Sequence, residues 1–263
     1  MSSIVILTGA GISAESGLAT FRDADGLWAR FRPQDLATPE AFARDPDVVL
    51  GWYDARRAQL DAVQPNAAHL ALARLDREWP GDLLLVTQNV DDLHSRAGST
   101  RMVQMHGALR RARCTVCEAV LEWRGAMPRG TACPACGAGT GGPACGAGTG
   151  GPACGAGAGS PICGAGTGSP ISRAAALRPD IVWFGEVPME MPRIMAAVQQ
   201  ADLFVSIGTS GTVYPAAGFV NALRRGARSL ELNLVNSGGV FTETRQGPAT
   251  LLVPAFVAEM LCA

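Results

Sequence analysis

A short apolar strand, followed at once by a glycine turn and a helix near the start of the chain, constrains the fold more than any other feature. The strand is Ile4–Leu7, and the turn Gly9–Gly11 leads into a helix that we expect to begin near Ser13. Residues Gly9–Ala14 fit the G-x-G-x-x-G/A pattern. In this pattern the glycines let backbone N–H groups approach a pyrophosphate, and the helix N-terminus favours its negative charge. The alternative is a tight strand–helix turn without a ligand.

The residues after this turn argue against a standard dehydrogenase site. Such a site places an acidic residue at the end of a second strand, about 20 residues beyond the glycines. Here the corresponding stretch, Thr20–Trp28, is a polar loop and not a strand. We therefore expect a nucleotide site that differs from that of a hydride-transferring enzyme.

Further short apolar runs, separated by helical stretches, predict the fold class. These runs are Leu83–Thr87, Ile181–Phe184, Leu203–Ile207 and Leu230–Leu234. Buried strands that alternate with helices are typical of a parallel sheet covered by helices on both faces. The prediction is an α/β fold, a doubly wound parallel sheet that is Rossmann-like, with a smaller domain inserted.

Two segments interrupt the alternation and are expected to build the smaller domain. Residues 30–76 have helical periodicity, and residues 110–172 hold seven of the eight cysteines with almost no strand signal. We expect a helical module from the first segment and a metal-binding module from the second. Residues 1–29, 77–109 and 173–263 would then form the main nucleotide-binding domain.

Four cysteines in two pairs predict a metal site in the second segment. Cys114 and Cys117 form one C-x-x-C pair, and Cys133 and Cys136 form the other after an intervening fifteen residues. This spacing is a strong signature of structural zinc, one ion per chain. Four thiolates close the coordination sphere, so the metal would stabilise the module and carry out no chemistry.

A tandem repeat occupies residues 137–172. Pro-Ala-Cys-Gly-Ala-Gly-Thr-Gly-Gly recurs with a period of nine and adds Cys145, Cys154 and Cys163. Because the repeat has almost no large apolar side chain, it cannot offset its ordering entropy, and we expect a flexible insertion without a function of its own. Metal capture and a partner contact are the alternatives. Loop closure favours Cys136 as zinc ligand over the repeat cysteines by about 1.2 kcal/mol.

Charge and hydropathy exclude two classes of partner. The formal net charge is −1, so no basic excess is available to neutralise nucleic-acid phosphates. No apolar run approaches the ~18–20 residues of a transmembrane helix, and the N-terminal run lacks the basic region of a signal peptide. We expect a cytoplasmic monomer, and we expect no role for the lone thiol of Cys262.

The stretch Gly9–Trp28 as a whole resembles the signature of the sirtuin family, and further motifs follow in that family's order. They cover nearly the entire chain apart from the repeat. They are Thr87–His94, the pair His106-Gly107, Val182–Glu186, and Gly208–Ser210 with Val213 and Pro215–Ala217.

The resemblance implies an enzyme that consumes NAD to remove acyl groups from protein lysines. The acyl oxygen attacks C1′ of the nicotinamide ribose, nicotinamide leaves, and a ribose hydroxyl attacks the resulting imidate to give O-acyl-ADP-ribose. The second attack needs a general base, a role that histidine performs near neutral pH. His106 is implied as this base, with Asn89 and Asp91 positioning the nicotinamide carboxamide and water. His69 and His94 are interpreted as structural or packing residues. The chain contains no lysine of its own to be acylated.

The same resemblance implies the NAD-binding residues. Phe21 and Arg22 would close over NAD, and Val235 stands where relatives often have a glutamate. The full set is Gly9, Ala10, Gly11, Ser13, Thr20, Phe21, Arg22, Trp28, Gln88, Asn89, Val90, Asp91, Gly208, Thr209, Ser210, Asn233, Leu234, Val235 and Ala249.

Acyl selection is expected to depend on Tyr53 and Arg56. Residues three apart share a helix face, and a phenol beside a guanidinium would bind a carboxylate. The spacing resembles the desuccinylase and demalonylase subgroup, whose bacterial members commonly deacetylate as well. In the alternative, the arginine pairs with Asp54 or Asp61 on the helix surface. The peptide-binding residues implied by the resemblance are Val182, Phe184 and Gly185.

Two other functions fit parts of the sequence. One is mono-ADP-ribosyl transfer, for which a carboxylate pocket at Tyr53 and Arg56 would be idle. The other is a non-catalytic NAD sensor, against which the complete set of His106, Asn89 and Asp91 argues.

Overall fold

The computed structural model describes residues 2–20, 32–139, 176–211, 214–238 and 240–262. Several predicted features lie outside the described residues. They are Phe21, Arg22, Trp28, Val213 and the repeat cysteines Cys145, Cys154 and Cys163.

The larger of two sheets has parallel strands in the order β3-β2-β1-β7-β8-β9. Its strands are β1 (Ile4–Thr8), β2 (Leu83–Thr87), β3 (Met102–Gln104), β7 (Leu203–Ile207), β8 (Arg228–Asn233) and β9 (Glu243–Gln246). The order reverses between β1 and β7, which is the point where doubly wound sheets bind nucleotides. The predicted fold class is therefore confirmed.

Helices cover both faces of this sheet. The helices are α1 (Gly11–Ala14), α2 (Pro33–Leu36), α3 (Pro39–Arg44), α4 (Pro46–Ala62), α5 (Ala67–Glu78), α6 (Leu93–Ala97), α7 (Met191–Gln200) and α8 (Ala249–Cys262), with a 3₁₀ turn at Ala216–Ala222. Alternate residues of β1 point to opposite faces. Ile4 and Ile6 pack in a core with α5 and α8, whereas Val5 and Leu7 pack in a second core with α7 and the 3₁₀ turn.

A smaller antiparallel sheet lies beside the helices α3 and α4. Its order is β5-β4-β6, with β4 (Gly107–Cys114), β5 (Val120–Glu122) and β6 (Leu177–Ile181). A third apolar core joins this sheet to α3 and α4 through residues such as Phe42, Tyr53 and Leu109.

One expectation about strands is wrong, and one segment holds more strand than its sequence indicated. The run Ile181–Phe184 is not a strand of the parallel sheet, because β6 ends at Ile181 and pairs with β4. Residues 110–172 do contain strand, since β4 extends to Cys114 and β5 follows. The arginines of β4 hide its strand pattern in the sequence. Two of them pair with the buried carboxylate of Asp180 on the neighbouring β6, Arg111 at 3.2 Å and Arg113 at 3.0 Å.

The expected division into domains stays a prediction, although β6 falls within 173–263 and pairs with the small sheet. No helix in the described ranges is long and apolar enough to cross a bilayer.

Candidate active site

A cavity of about 960 Å³ opens at the carboxyl ends of β1, β2, β7 and β8, where the parallel sheet meets the smaller one. Its walls bring together most of the residues expected to contact NAD or substrate. These are Gly9, Ala10, Gly11, Thr20, Gln88, Asn89, Val90, His106, Gly208, Thr209, Ser210, Asn233, Leu234, Val235, Tyr53, Arg56, Val182, Phe184 and Gly185.

Glycines form the tight turn at the edge of this cavity. The Gly11 N–H donates to the carbonyl oxygen of Gly208 at 2.8 Å, and Gly208 has a positive φ of 59°. A Cβ added to Gly9 would lie 2.8 Å from the same oxygen, and one added to Gly11 would lie 2.8 Å from the Gly208 Cα. The two loops therefore approach so closely that side chains are excluded, which leaves backbone open towards the cavity.

Asn89 and Ser13 form a buried hydrogen-bonded chain at the inner wall. The Asn89 amide donates to the Gly9 carbonyl and to Ser13 Oγ, both at 3.1 Å. Ser13 Oγ in turn donates to Asp91 Oδ2 at 3.0 Å, and Asp91 Oδ1 accepts from the Leu93 N–H at 3.1 Å. This chain fixes the positions of the three side chains relative to the glycine turn.

Ser13 and Asp91 line a small recess of about 30 Å³ beside the main cavity, together with Asn89, Val90 and Arg56. Burial raises the pKa of Asp91, and its hydrogen bonds from Leu93 and Ser13 act in the opposite direction. The recess is the right size for a water or a small part of a ligand.

His106 lies at the start of β4, and its ring faces the cavity. Its Nδ1 lies 3.1 Å from the Gln88 carbonyl oxygen. Because a carbonyl only accepts, Nδ1 carries the proton and Nε2 is the basic nitrogen of the neutral ring. Burial lowers the pKa of His106, and the bond to Gln88 partly opposes that shift.

The other two histidines lie behind the site. His69 and His94 are buried with ring centroids 4.8 Å apart. His69 Nδ1 accepts from the Asn66 N–H at the start of α5, and His94 Nε2 contacts Thr8 Oγ1 at 3.0 Å. Burial lowers the pKa of His69 to about 4, so its ring is neutral at pH 7. These contacts fit packing roles.

The far end of the cavity is formed by the loops after β7 and β8. Asn233 donates from Nδ2 to the Thr209 carbonyl at 2.8 Å, and Gln88 donates from Nε2 to Thr209 Oγ1 at 3.2 Å. Leu234 and Val235 are largely exposed at the rim. Ala249 lies apart from the cavity, in the apolar core at the start of α8.

Tyr53 and Arg56 lie together on the face of α4 that borders the cavity. The Arg56 guanidinium stacks 4.8 Å from the centroid of the Trp52 ring, and the Tyr53 oxygen accepts from Trp183 Nε1 at 2.9 Å. Burial raises the pKa of Tyr53 and lowers that of Arg56 to about 10. At pH 7 the pair is a neutral phenol beside a cation.

The carboxylates that were expected to compete for Arg56 are bound to other arginines. Asp54 pairs with Arg57 at 2.5 Å, and Asp61 pairs with Arg110 at 2.8 Å. Asp54 and Asp61 thus pair with Arg57 and Arg110, while Arg56 lines the cavity.

Residues Val182–Gly185 form part of the cavity wall. The Val182 N–H donates to the His106 carbonyl, and the Phe184 N–H donates to the Ala37 carbonyl, both at 2.9 Å. The segment therefore links His106, directly before β4, to the helical segment that contains Ala37.

Sequence reasoning missed several cavity residues. Trp183 lies between Val182 and Phe184, two of the three residues chosen from its motif, and it is buried against Tyr53. The available signal was an indole N–H inside an apolar run, since a buried tryptophan needs an acceptor. Other missed lining residues are Trp52, Glu186, Met191 and Tyr214.

The four predicted zinc ligands form one cluster. Their sulfur atoms all lie within 4.8 Å of one another, and the Cys114–Cys136 and Cys117–Cys133 sulfur pairs are each 3.8 Å apart. A tetrahedron with Zn–S bonds of about 2.3 Å has edges of about 3.8 Å. The donor set and its spacing therefore fit a closed structural zinc site.

Comparison with known proteins agrees with this geometry. The model of the Sir2 family matches residues 9–215. An NAD-dependent protein deacylase of Vibrio cholerae serotype O1 is 46% identical over 99% of this chain and 94% of its own length. A protein of the same description from Escherichia coli K12 is 45% identical over 98% of this chain and 82% of its own length.

Solved structures show the same likeness. A mutant Sir2 homologue in complex with ADP ribose is 36% identical, with a TM-score of 0.78, and the match covers 98% of this chain and 91% of that one. A Sir2 homologue in complex with NAD is 36% identical, with a TM-score of 0.77, over 98% and 89%. With the family model spanning most of its length and close relatives matching nearly all of it, the chain belongs to the Sir2 family.

Proposed function

We propose that this protein is an NAD-dependent protein-lysine deacylase that removes succinyl and malonyl groups and also acetyl groups. One observation carries the proposal. A single cavity holds a neutral histidine base beside a glycine turn that fits a pyrophosphate, and it has a phenol and a guanidinium at its other end. Its relatives from Vibrio and Escherichia are NAD-dependent protein deacylases, which supports the same activity here.

NAD is proposed as the consumed co-substrate, with its pyrophosphate at the Gly9–Gly11 turn. The open backbone there and the nearby helix start suit two phosphates. Thr209, Ser210 and Asn233 would contact the adenosine half, since they line the same cavity beyond the turn. The Sir2 homologue structures in complex with NAD or ADP ribose support NAD as the co-substrate.

His106 is proposed as the general base. Its Nδ1–H is held by the Gln88 carbonyl, so Nε2 can take a proton from a ribose hydroxyl of the co-substrate. That hydroxyl oxygen then attacks the carbon of the imidate that formed when the acyl oxygen displaced nicotinamide from C1′. The lysine amine leaves with the proton that His106 took up, and water adds to the remaining cyclic cation to give O-acyl-ADP-ribose. Nicotinamide is released in the earlier step.

Asn89, Ser13 and Asp91 are proposed to position the nicotinamide half of NAD. Their hydrogen bonds to one another and to the Gly9 carbonyl fix them against the glycine turn. The recess that they line beside the cavity would take the carboxamide or a water. We propose no proton transfer by Asp91.

Tyr53 and Arg56 are proposed to bind the terminal carboxylate of a succinyl or malonyl group. A neutral phenol donates one hydrogen bond, and a guanidinium provides charge and two parallel N–H donors. Because both residues lie at the edge of the cavity on α4, they would act on the acyl group and not on the peptide backbone.

Val182, Phe184 and Gly185 are proposed to bind the substrate peptide. They line the same cavity as Tyr53 and Arg56, and Phe184 is 54% exposed.

Zinc is proposed at Cys114, Cys117, Cys133 and Cys136, where it would stabilise the small sheet and its loops. A bound zinc ion supplies cross-linking of this segment and no open position for catalysis. We also propose that the protein is a monomer in the cytoplasm. Reducing conditions there keep these thiols available for metal.

One assay tests the proposed activity. The protein is incubated with NAD and matched succinyl-, malonyl- and acetyl-lysine peptides, and the products are identified by mass spectrometry. We expect nicotinamide and O-acyl-ADP-ribose in a peptide-dependent reaction, with the acidic acyl groups preferred. ADP-ribose attached to the peptide would indicate an ADP-ribosyltransferase instead. NAD binding without any nicotinamide release would indicate a sensor.

A further inference from the structure

Trp183 is held in place by Arg178 and Glu186. Its side chain is only 2% exposed, and the guanidinium of Arg178 stacks 3.4 Å from the ring centroid. Arg178 also forms a two-point ion pair with Glu186, at 2.6 and 2.9 Å. The Trp183 backbone N–H donates to the same Glu186 carboxylate at 2.8 Å. One carboxylate and one guanidinium thus fix both the backbone and the ring of Trp183.

The indole of Trp183 points at the acyl-binding phenol. Its Nε1–H donates to the Tyr53 oxygen at 2.9 Å, across 130 positions of sequence. Tryptophan has a donor and no acceptor, so the Tyr53 oxygen can only accept from it. The hydroxyl proton of Tyr53 must therefore be directed elsewhere.

Arg56, on the same face of α4, cannot receive that proton either, because a guanidinium carries only donors. The structure gives Glu186, the nearby carboxylate, to Arg178 and to the Trp183 N–H. Burial raises the pKa of Tyr53, so the phenol keeps its proton at neutral pH and remains a donor. Tyr53 thus offers a hydrogen-bond donor next to a cation. A carboxylate fits this pair, because it only accepts hydrogen bonds and is negatively charged.

We propose that Trp183 is a positioning residue for acyl specificity: by donating to the Tyr53 oxygen, it turns the Tyr53 hydroxyl proton towards the carboxylate of an acidic acyl group. The proposal depends on the proposed function, in which Tyr53 and Arg56 bind that carboxylate. Trp183 itself acts through Tyr53 and does not need to contact the reacting atoms. An acetyl group has no carboxylate and gains nothing from this arrangement.

The position of this contact predicts whether its loss changes KM or kcat. The acyl carboxylate is remote from the bond that breaks, so its hydrogen bond contributes equally to substrate and transition state. Loss of such uniform binding raises KM and leaves kcat unchanged. If Trp183 had a purely structural role, its replacement would change the kinetics of the succinyl and the acetyl peptide alike.

The test is a double-mutant cycle with Trp183→Phe, Tyr53→Phe and the double variant, using succinyl- and acetyl-lysine forms of one peptide. We expect Trp183→Phe to raise KM for the succinyl peptide about fivefold more than for the acetyl peptide, the size of one hydrogen bond. On the Tyr53→Phe background the additional effect should fall below about twofold, because the acceptor is already absent.

Trp123→Phe is the matched control. The Trp123 indole also donates within the small domain, to the Ala126 carbonyl at 3.3 Å, but it is not among the cavity-lining residues. Loss of this hydrogen bond should leave the ratio of the two KM values, for succinyl and acetyl peptide, unchanged. If Trp183→Phe does not fold, benzothienylalanine at position 183 keeps the ring shape and removes only the N–H.

The outcomes separate the two proposals. A wild-type enzyme with no preference for succinyl over acetyl would overturn the acyl specificity of the proposed function. A wild-type preference with equal effects of Trp183→Phe on both acyl groups, or with additive effects of the two substitutions, would overturn the role of Trp183 alone.

Discussion

Arg56 and Arg57 are neighbours on α4, and they have opposite environments. Arg57 is 1% exposed and points towards the small sheet, where it donates to the carbonyls of Leu109 at 2.7 Å and Gly125 at 3.1 Å and pairs with Asp54. Arg56 lies about 100° further back around the helix and lines the cavity, stacked on Trp52.

The difference shows that burial of a charge does not by itself identify a functional residue. The protein supplies the counter-charge of Arg57 from its own helix, as expected of a structural ion pair. At Arg56 burial lowers the pKa to about 10, so the environment disfavours the charge that the residue carries at pH 7. A guanidinium in a cavity wall whose pKa is shifted by burial is a candidate for ligand binding.

Replacing His106 with alanine should have the largest effect on activity. The losses expected for the variants of Arg56 and Arg57 are compared with this one. Removal of a general base lowers kcat by about 10²–10⁴-fold. We expect this loss to be the same for succinyl and acetyl peptides, with an unchanged melting temperature. Steady-state kinetics and thermal melts check it. Activity within tenfold of wild type would remove His106 from the proposed mechanism.

Arg57→Met should have the largest effect on stability. It leaves Asp54 without its cation and the Leu109 and Gly125 carbonyls without their donor, and breaking a buried pair costs about 3–5 kcal/mol. We expect a clearly lowered Tm and losses of activity that do not depend on the acyl group. Arg74→Met is the control, because Arg74 pairs with Glu78 on the surface and should melt like wild type. An acyl-selective loss in Arg57→Met would break the distinction between the two arginines.

Arg56→Met should reverse that pattern. Loss of a charge-assisted hydrogen bond of about 1.5–3 kcal/mol lowers kcat/KM for the succinyl peptide roughly 10- to 100-fold. Deacetylation should change only a few-fold, and the Tm should stay level or rise, because a disfavoured charge is removed. Competition assays with both peptides in one reaction measure the ratio directly. Equal losses on the two acyl groups would place Arg56 outside the acyl site.

The sequence was sufficient to predict the strands that are buried on both faces. The runs Leu83–Thr87 and Leu203–Ile207 are strands residue for residue, because a central parallel strand is a continuous apolar stretch. The zinc cluster was equally predictable, since each half of it is a local spacing. The motif Thr87–His94 likewise begins at the end of a strand, β2, that the apolar pattern marks.

Features that depend on distant partners could not be predicted. β4 has arginines where a strand would show apolar residues, and the acids that pair with them come from other parts of the chain. The edge strand β9, Glu243–Gln246, is polar throughout and has no apolar signal. The choice between Asp54 binding Arg57 or Arg56 depends on how α4 rotates against the small sheet, which no local pattern specifies.

The dependence of activity on pH should give the smallest and most selective signal. Burial lowers the pKa of His106, so its neutral form persists below pH 6.5, and kcat/KM for every acyl group should decline only as the pH falls through that lowered pKa. Arg56 keeps its charge over the same range, since its pKa of about 10 lies well above it. The ratio of kcat/KM for succinyl and acetyl peptides should therefore be flat between about pH 6 and 8. Buffers of constant ionic strength are needed, because salt screens the attraction between Arg56 and the carboxylate. A ratio that changes in this window would mean that a titrating group, and not an arginine of fixed charge, selects the acyl group.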